Sequence, residues 1–224
     1  MKEFNLLEVS QSVKRDLSLR SNITFQDRVR SATFGYDYFD GDRKLGYGGY
    51  IYDGRWVKVA ERAVKLFNLK PGDKVLDIGC AKGFFVHDLI YSFDLDAYGV
   101  DVSTYALLNA MPSIAGRLHL QNMNTLLFPD DTFDAIFCIN ALHNLDKVDA
   151  FGAIQEMNRV VKDKQKIFIQ VDSYRDNEDL TIFENWVLTA KLYMQPENWL
   201  KFFEASKFEG AYFWTILRKD GSVE

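Results

Sequence analysis

The stretch Val75 to Phe85, VLDIGCAKGFF, restricts what this chain can fold into more than any other segment. An apolar run of strand composition leads into Asp77, Gly79 and Gly83 enclose a short turn, and Phe84 and Phe85 open a helical pattern. In such a strand–turn–helix unit the glycines let the backbone approach a ligand closely. The helix start offers unpaired N–H groups, and a carboxylate at the strand end can bind hydroxyls or an amine. The unit predicts a nucleotide-like cofactor site.

The flanking sequence repeats this alternation. Trp56, Val59, Ala60, Ala63, Val64 and Phe67 recur at helical spacing and stop at Lys70-Pro71-Gly72. Phe84, Val86, Leu89, Ile90 and Phe93 continue the helix after the turn, and AYGVDVS then reads as a strand ending at Asp101, 24 residues past Asp77. At the tip of the next parallel strand, that acidic residue is placed to hold a ribose diol with both oxygens. Farther on, Ala150, Ala153, Ile154, Met157, Val160 and Val161 form a helical stripe, and KIFIQVDSY reads as a fifth parallel strand with Asp172 at its carboxyl end. QPENWLKFFEASKF reads as a helix with Pro196 near its start, and GAYFWTILR closes as a strand. Alternating helices and strands predict an α/β, doubly wound sheet covered on both faces.

With 224 residues, 47% of them hydrophobic and 26% charged, the chain has material for one core with an appendage. We divide it into an extension with a tyrosine- and glycine-rich loop over residues 1-54 and a core over residues 55-224. The net charge of −5 provides no bulk positive field, so no nucleic-acid partner is expected. Cys80 and Cys138 stand apart in apolar contexts, which predicts buried free thiols and no metal site. The N-terminal residues mix charge with apolar side chains and lack a signal-peptide core, and no segment approaches the ~20 apolar residues of a membrane span. A cytoplasmic protein without membrane attachment follows, and a homo-oligomer is compatible with the composition.

Residues 1 to about 30 carry weak helical periodicity through Phe4, Leu7, Val13 and Leu17, which predicts one or two short helices. From Phe34 to Trp56 the sequence holds six glycines, five tyrosines and three basic residues, the composition of a structured functional loop. Gly46, Gly48 and Gly49 permit close turns, and Tyr47, Tyr50 and Tyr52 bring rings with a hydroxyl at the tip. Arg43, Lys44 and Arg55 can grip an anion.

The glycine spacing separates the two cofactor classes that present a ribose at this place. A GxGxxG fingerprint starting at Gly79 would need glycine at 81 and 84, where the chain has Ala81 and Phe84. VLDIGCAKG followed by GVDVS instead resembles the first two motifs of class I S-adenosylmethionine-dependent methyltransferases. LQNMNTLLFPDDTFDAIFCINALHNL, residues 120–145, is similar to that family's third and fourth strands. The resemblance spans residues 55–218. It implies a Rossmann-like, seven-stranded, mostly parallel sheet with helices on both faces and an N-terminal helical and loop extension. It also implies S-adenosyl-L-methionine as cofactor and S-adenosyl-L-homocysteine as product. The cofactor residues carried over are Asp77, Gly79, Cys80, Gly83, Asp101, Val102, Asn122, Met123 and Asn140. Asn122 stands for the family's usual Asp and keeps a hydrogen bond to adenine. Ala81 replaces the middle glycine, which a negative φ would tolerate.

A sulfonium methyl is already electrophilic, so such an enzyme must align the acceptor and, where needed, remove its proton. His143, after the fourth strand, is the candidate base, with a cap or a substrate contact as its alternative role. Asp172 and Tyr174 offer a second base or an orienting pair. His87 and His119 read as structural. Tyr47, Tyr50, Arg55, Asn144, Tyr174 and Arg175 are candidates for substrate contact, and Arg175 with Arg43, Lys44 and Arg55 would make a cationic wall for a phosphorylated or carboxylated acceptor. Trp186, Tyr193 and Trp199 either line that pocket or belong to the core. Asn140-Ala141-Leu142-His143 lacks the (N/D)PP(Y/F) signature of nucleic-acid N-methyltransferases, which favours oxygen over nitrogen as the acceptor atom. YGGYIYDGRW and VDSYR also resemble a bacterial subgroup of small-molecule methyltransferases associated with surface polysaccharides. The expectation is O-methylation of a small anionic acceptor, such as a nucleotide-activated, phosphate- or phosphoramidate-bearing, or sugar intermediate. Two other readings stand beside it: a non-catalytic binding subunit of the same fold, suggested by Ala81, and an RNA methyltransferase, which would need a basic surface.

Overall fold

The computed structural model describes residues 1–9 and 14–223. Val13 lies outside the described residues. Seven strands form one sheet: β1 (Lys2–Glu3), β2 (Lys74–Ile78), β3 (Asp96–Asp101), β4 (Leu118–Leu120), β5 (Ala135–Ile139), β6 (Ile167–Asp172) and β7 (Ala211–Thr215). Their order is β1-β7-β6-β5-β2-β3-β4, and every neighbouring pair is parallel. The helices are α1 (Phe25–Ser31), α2 (Tyr36–Phe39), α3 (Arg55–Phe67), α4 (Phe84–Phe93), α5 (Thr104–Leu108), α6 (Lys147–Val160), α7 (Asn177–Trp186) and α8 (Pro196–Ala205).

The two faces of the sheet divide the apolar residues by strand alternation. Leu76, Ile78, Ile136, Cys138, Ile167 and Ile169 pack with Ile154 and Met157 of α6 and with Trp199 and Phe203 of α8. Val75, Ala97, Ala135, Phe137 and Phe168 pack with Val59 and Ala63 of α3 and Phe85 and Leu89 of α4. The expected doubly wound sheet with both faces covered is thus present, and it is wholly rather than mostly parallel. Both cysteines are buried free thiols, as their contexts predicted.

The one or two short helices expected in the first thirty or so residues are represented by a 3-10 turn and α1, and Lys2 and Glu3 add an edge strand that was not expected, in register with Ala211 and Tyr212. Two residues are too few for a strand period to show in the sequence. Farther along, a 3-10 turn spans Leu17–Arg20 and α1 follows, opened by a capping box in which Thr24 and Asp27 satisfy each other's backbone N–H groups. Among the described residues no helix is long and apolar enough to cross a membrane.

Trp199 belongs to the core rather than a pocket: it is fully buried, and its Nε1 donates to the Asp172 carbonyl at 3.1 Å. Trp199→Ala is expected to cost about 3–5 kcal/mol of unfolding free energy in urea titration, as large-to-small changes at filled aromatic sites do. A loss below about 1 kcal/mol would contradict that packing role.

Candidate functional site

The chain adds β3 and β4 on one side of β2 and β5, β6 and β7 on the other, so the carboxyl ends of β2 and β5 diverge at a topological switch point. Gly79 sits at that point with φ of +78°, and a Cβ on it would lie 2.4 Å from the Ala141 Cβ. A side chain there would push the two loops apart.

One bank of the cleft is the turn after β2. Gly79 and Cys80 donate their N–H groups to the Val100 carbonyl, at 2.8 and 3.1 Å, which ties the turn to β3. The Cys80 side chain packs into the core below, so any cofactor contact from this residue falls to its backbone. Asp101 accepts from the Ala81 N–H at 2.8 Å and from the Ser103 N–H at 2.8 Å, one on each carboxylate oxygen. Ala81 has φ of +51°, so the negative φ that would tolerate its methyl group is not what the chain adopts. The left-handed conformation costs a non-glycine residue roughly 1–2 kcal/mol, and the bond to Asp101 offsets part of that. Asp77 is buried, and burial followed by the nearby Asp101 charge pushes its carboxyl up to about 8. Burial also raises Asp101, against the backbone N–H bonds that hold it down. Val102, 49% exposed, follows Asp101 as a free apolar surface, while Met123 is buried and Asn122 lies in the loop after β4.

Two crowded carboxylates suit a ligand that brings both positive charge and hydroxyls. The ammonium and sulfonium of S-adenosylmethionine would relieve Asp77, and its ribose diol can share the remaining lone pairs of Asp101. Asp77, Asp101, Val102 and the turn 79–83 therefore fit that cofactor.

The other bank is a cavity of about 170 Å³ beyond β5, β6 and β7. Asn140, His143, Asp172 and Thr215 form its floor, and Arg15, Arg20, Tyr38, Arg43, Tyr47 and Trp186 are among its walls. A polar chain crosses the strand ends: Gln170 Nε2 donates to Thr215 Oγ1, and Thr215 Oγ1 donates to Asn140 Oδ1, each at 3.0 Å. Asn140 has φ of +55° and lines this cavity.

His143 is buried, and its Nδ1 accepts the Asp172 backbone N–H at 3.0 Å. The imidazole proton is thereby assigned to Nε2, which lies 3.4 Å from Asp172 Oδ2. Burial raises the Asp172 carboxyl, while His143 and Arg15 offset part of the rise.

The cationic wall differs from the expected one. Arg43 is in it, but Lys44 pairs with Asp27 at 2.7 Å and Arg55 pairs with Asp53 at 2.6 Å, and neither lines the cavity. Arg175 is also outside it, where the loop after β6 turns toward α7, and Tyr174 lines a separate groove with Phe151, Met194 and Phe202. Arg15 and Arg20 take their place. Arg20 donates to the carbonyls of Lys44, Gly46 and Trp186 and lies 4.2 Å from the Trp186 ring centroid. Burial, then the charges of Arg43, Arg15 and Arg28, lower its pKa to about 10. Asn144 also lies outside the cavity; its Oδ1 accepts from Thr189, a lining residue. Tyr47 reaches the cavity, whereas Tyr50 stacks on Phe84 at 4.9 Å, over the turn after β2. Arg15, Arg20, Tyr38 and Thr215 carry no motif, and sequence patterns do not single them out.

Residues 75–164 match a family model described as a methyltransferase domain. The sheet is the Rossmann-like methyltransferase fold. It superimposes on a chain from the complex of the Haloferax volcanii Trm112 methyltransferase activator with a methyltransferase, with a TM-score of 0.53 and 18% identity, covering 66% of this chain and 65% of that one. Wheat (Triticum aestivum) phosphoethanolamine N-methyltransferase is 31% identical over 109 residues, which is 46% of this chain and 21% of the wheat protein. An uncharacterized protein of Methanocaldococcus jannaschii is 30% identical over 149 residues, covering 66% of this chain and 60% of that protein. The chain thus spans about a fifth of the wheat relative's length and somewhat under two thirds of the archaeal one.

Asp77 also sets a pH dependence. Its native pKa lies above the unfolded value, so the folded protein binds the extra proton. Its contribution to stability is complete below about pH 4 and is lost as pH rises toward about 8. Thermal melts of the ligand-free protein across that range should show a downward slope that Asp77→Asn flattens; equal slopes in both proteins would remove Asp77 as its source.

Proposed function

We propose that the protein transfers a methyl group from S-adenosylmethionine to a small, phosphate-bearing acceptor held in the cavity beyond β5–β7. The observation that carries this reading is the charge of that cavity: among the described residues that line it, three guanidinium groups, on Arg15, Arg20 and Arg43, stand with a single carboxylate, Asp172. The acidic turn and the basic cavity lie side by side, which suits a cationic donor and an anionic acceptor. The names of the phosphoethanolamine N-methyltransferase relatives support a phosphomonoester, and the resemblance to polysaccharide-associated enzymes supports a phosphorylated sugar-pathway intermediate.

Bound in the turn, the cofactor supplies a methyl group on a sulfonium, already activated for in-line attack. Tyr38, whose pKa burial raises well above the usual phenol value, keeps its proton and can donate to the acceptor. Arg15 and Arg43 orient the anionic end. At the reacting end, Asp172 is the group placed to take the acceptor's proton, because its carboxyl is raised by burial and His143 presents Nε2–H to it. With Nδ1 held by a backbone N–H, His143 serves as the orienter of that carboxylate. This division of roles suits a hydroxyl or an ammonium acceptor.

The test is a methyl-transfer screen by mass spectrometry with phosphoethanolamine, sugar phosphates and nucleotide sugars. Arg43→Ala is expected to raise KM for the accepted phosphomonoester by roughly tenfold or more, as loss of a charge-assisted contact does. Failure to methylate any anionic acceptor while S-adenosylhomocysteine binds would favour the non-catalytic reading. Asp172→Asn should lower kcat by about 10²–10⁴-fold with cofactor affinity retained. An unaltered kcat would take the proton-transfer role from Asp172.

A further inference from the structure

Two separate functions converge on the short segment that contains α2. Toward the turn after β2 it presents Asp40, whose Oδ1 accepts from Lys82 Nζ at 2.8 Å and the Tyr50 N–H at 3.0 Å. Its Oδ2 accepts from Lys82 Nζ at 2.6 Å and Tyr105 Oη at 2.7 Å. Lys82 belongs to the GCAKG turn itself, and its side chain is only 9% exposed. A second clamp lies alongside, where Ser103 Oγ donates to the Phe34 carbonyl at 2.6 Å, next to Asp101. Toward the cavity, the same segment presents Tyr38, Arg43, Gly46 and Tyr47.

The segment is stiff between these two faces. Tyr47 N–H donates to the Tyr38 carbonyl at 2.8 Å, and Gly49 N–H to the Phe39 carbonyl at 3.0 Å. Gly46 packs so closely on α2 that a Cβ would stand 1.8 Å from the Tyr38 carbonyl oxygen. The Phe39 ring stacks on Tyr105 and on Tyr47, at 6.2 and 5.9 Å between centroids. These contacts join Lys82 through Asp40 to the backbone that carries Tyr38 and Arg43.

We propose that Asp40 is a positioning residue that couples the two sites: through its pairing with Lys82, occupation of the turn after β2 sets the wall of the anion-binding cavity, so that cofactor and acceptor bind with positive cooperativity. Asp40 does not line the cavity. The inference rests on the proposed roles of the turn and the cavity and adds the link between them. Coupling of this kind is reciprocal, so each ligand tightens the other by the same factor.

Inorganic phosphate, as a probe of the cavity, can be titrated calorimetrically into the full chain with and without saturating S-adenosylhomocysteine, and the reverse titration gives the same factor independently. In the unmodified protein the cofactor product should tighten phosphate by about fivefold or more. In Asp40→Asn, and separately in Asp40→Ala, that ratio should fall to within about twofold of unity while both ligands still bind. Thermal melts identify a variant that has merely unfolded, and either variant suffices for the comparison. An undiminished ratio in folded variants, or a ratio of one in the unmodified protein, overturns the coupling role. Absence of S-adenosylhomocysteine binding by the unmodified protein overturns the cofactor reading instead. Absence of phosphate binding by both forms overturns the anionic-acceptor reading, and either result takes the coupling with it.

Discussion

Everything in the cleft depends on the reversal of strand order between β2 and β5. Parallel strands on either side of that point send their loops in opposite directions, and the space between is held narrow by the contact of Gly79 with Ala141. The turn after β2, with Asp77 of β2 and Asp101 at the end of β3, forms one bank, and the strand ends that carry Asn140, Asp172 and Thr215 form the other. Neither bank exists without the parallel sheet below it, and the two hydrophobic layers that cover the sheet fix their separation.

The two banks also have opposite electrostatic character. Burial loads the turn with carboxylates that hold on to protons, whereas the neighbouring cavity crowds guanidinium groups whose mutual repulsion and desolvation depress Arg20. Each side is costly alone and complementary to a ligand of the opposite sign. Charges fixed by the fold in this way need no reorganisation when substrates arrive, which is the general advantage of a preorganised polar site.

The legible parts of this structure were those encoded by short-range pattern. The strand–turn–helix at Val75–Phe85, Asp101 at the tip of the following strand and the helical stripe over α3 and α6 all follow from residue spacing, and all are present. What spacing does not carry is the company a side chain keeps. Arg55 reads as an anion ligand until Asp53, two residues earlier, is seen to hold it. Tyr174 and Arg175 follow Asp172 in the chain, but the backbone turns away from the cavity after that strand. Arg15 and Arg20 are ordinary surface-type residues by pattern, and only the tertiary fold brings them against Trp186 and Arg43. Ala81 illustrates the same limit for the backbone, since its left-handed conformation is imposed by the turn and by Asp101 rather than by its own preference.

The edge strand at Lys2–Glu3 has a consequence for how this molecule can assemble. It pairs with Ala211–Tyr212, and Arg15 N–H donates to the Gly221 carbonyl, so segments far apart in the sequence close against one another. Closing so long a loop is slow, and its entropy must be met before any contact returns it. The central strands β2, β3 and β5 pair with partners nearby in the sequence, whereas the cavity has Arg15 on one wall and Val223 on another. The contacts that build the acidic bank are therefore more local in sequence than those that build the basic one.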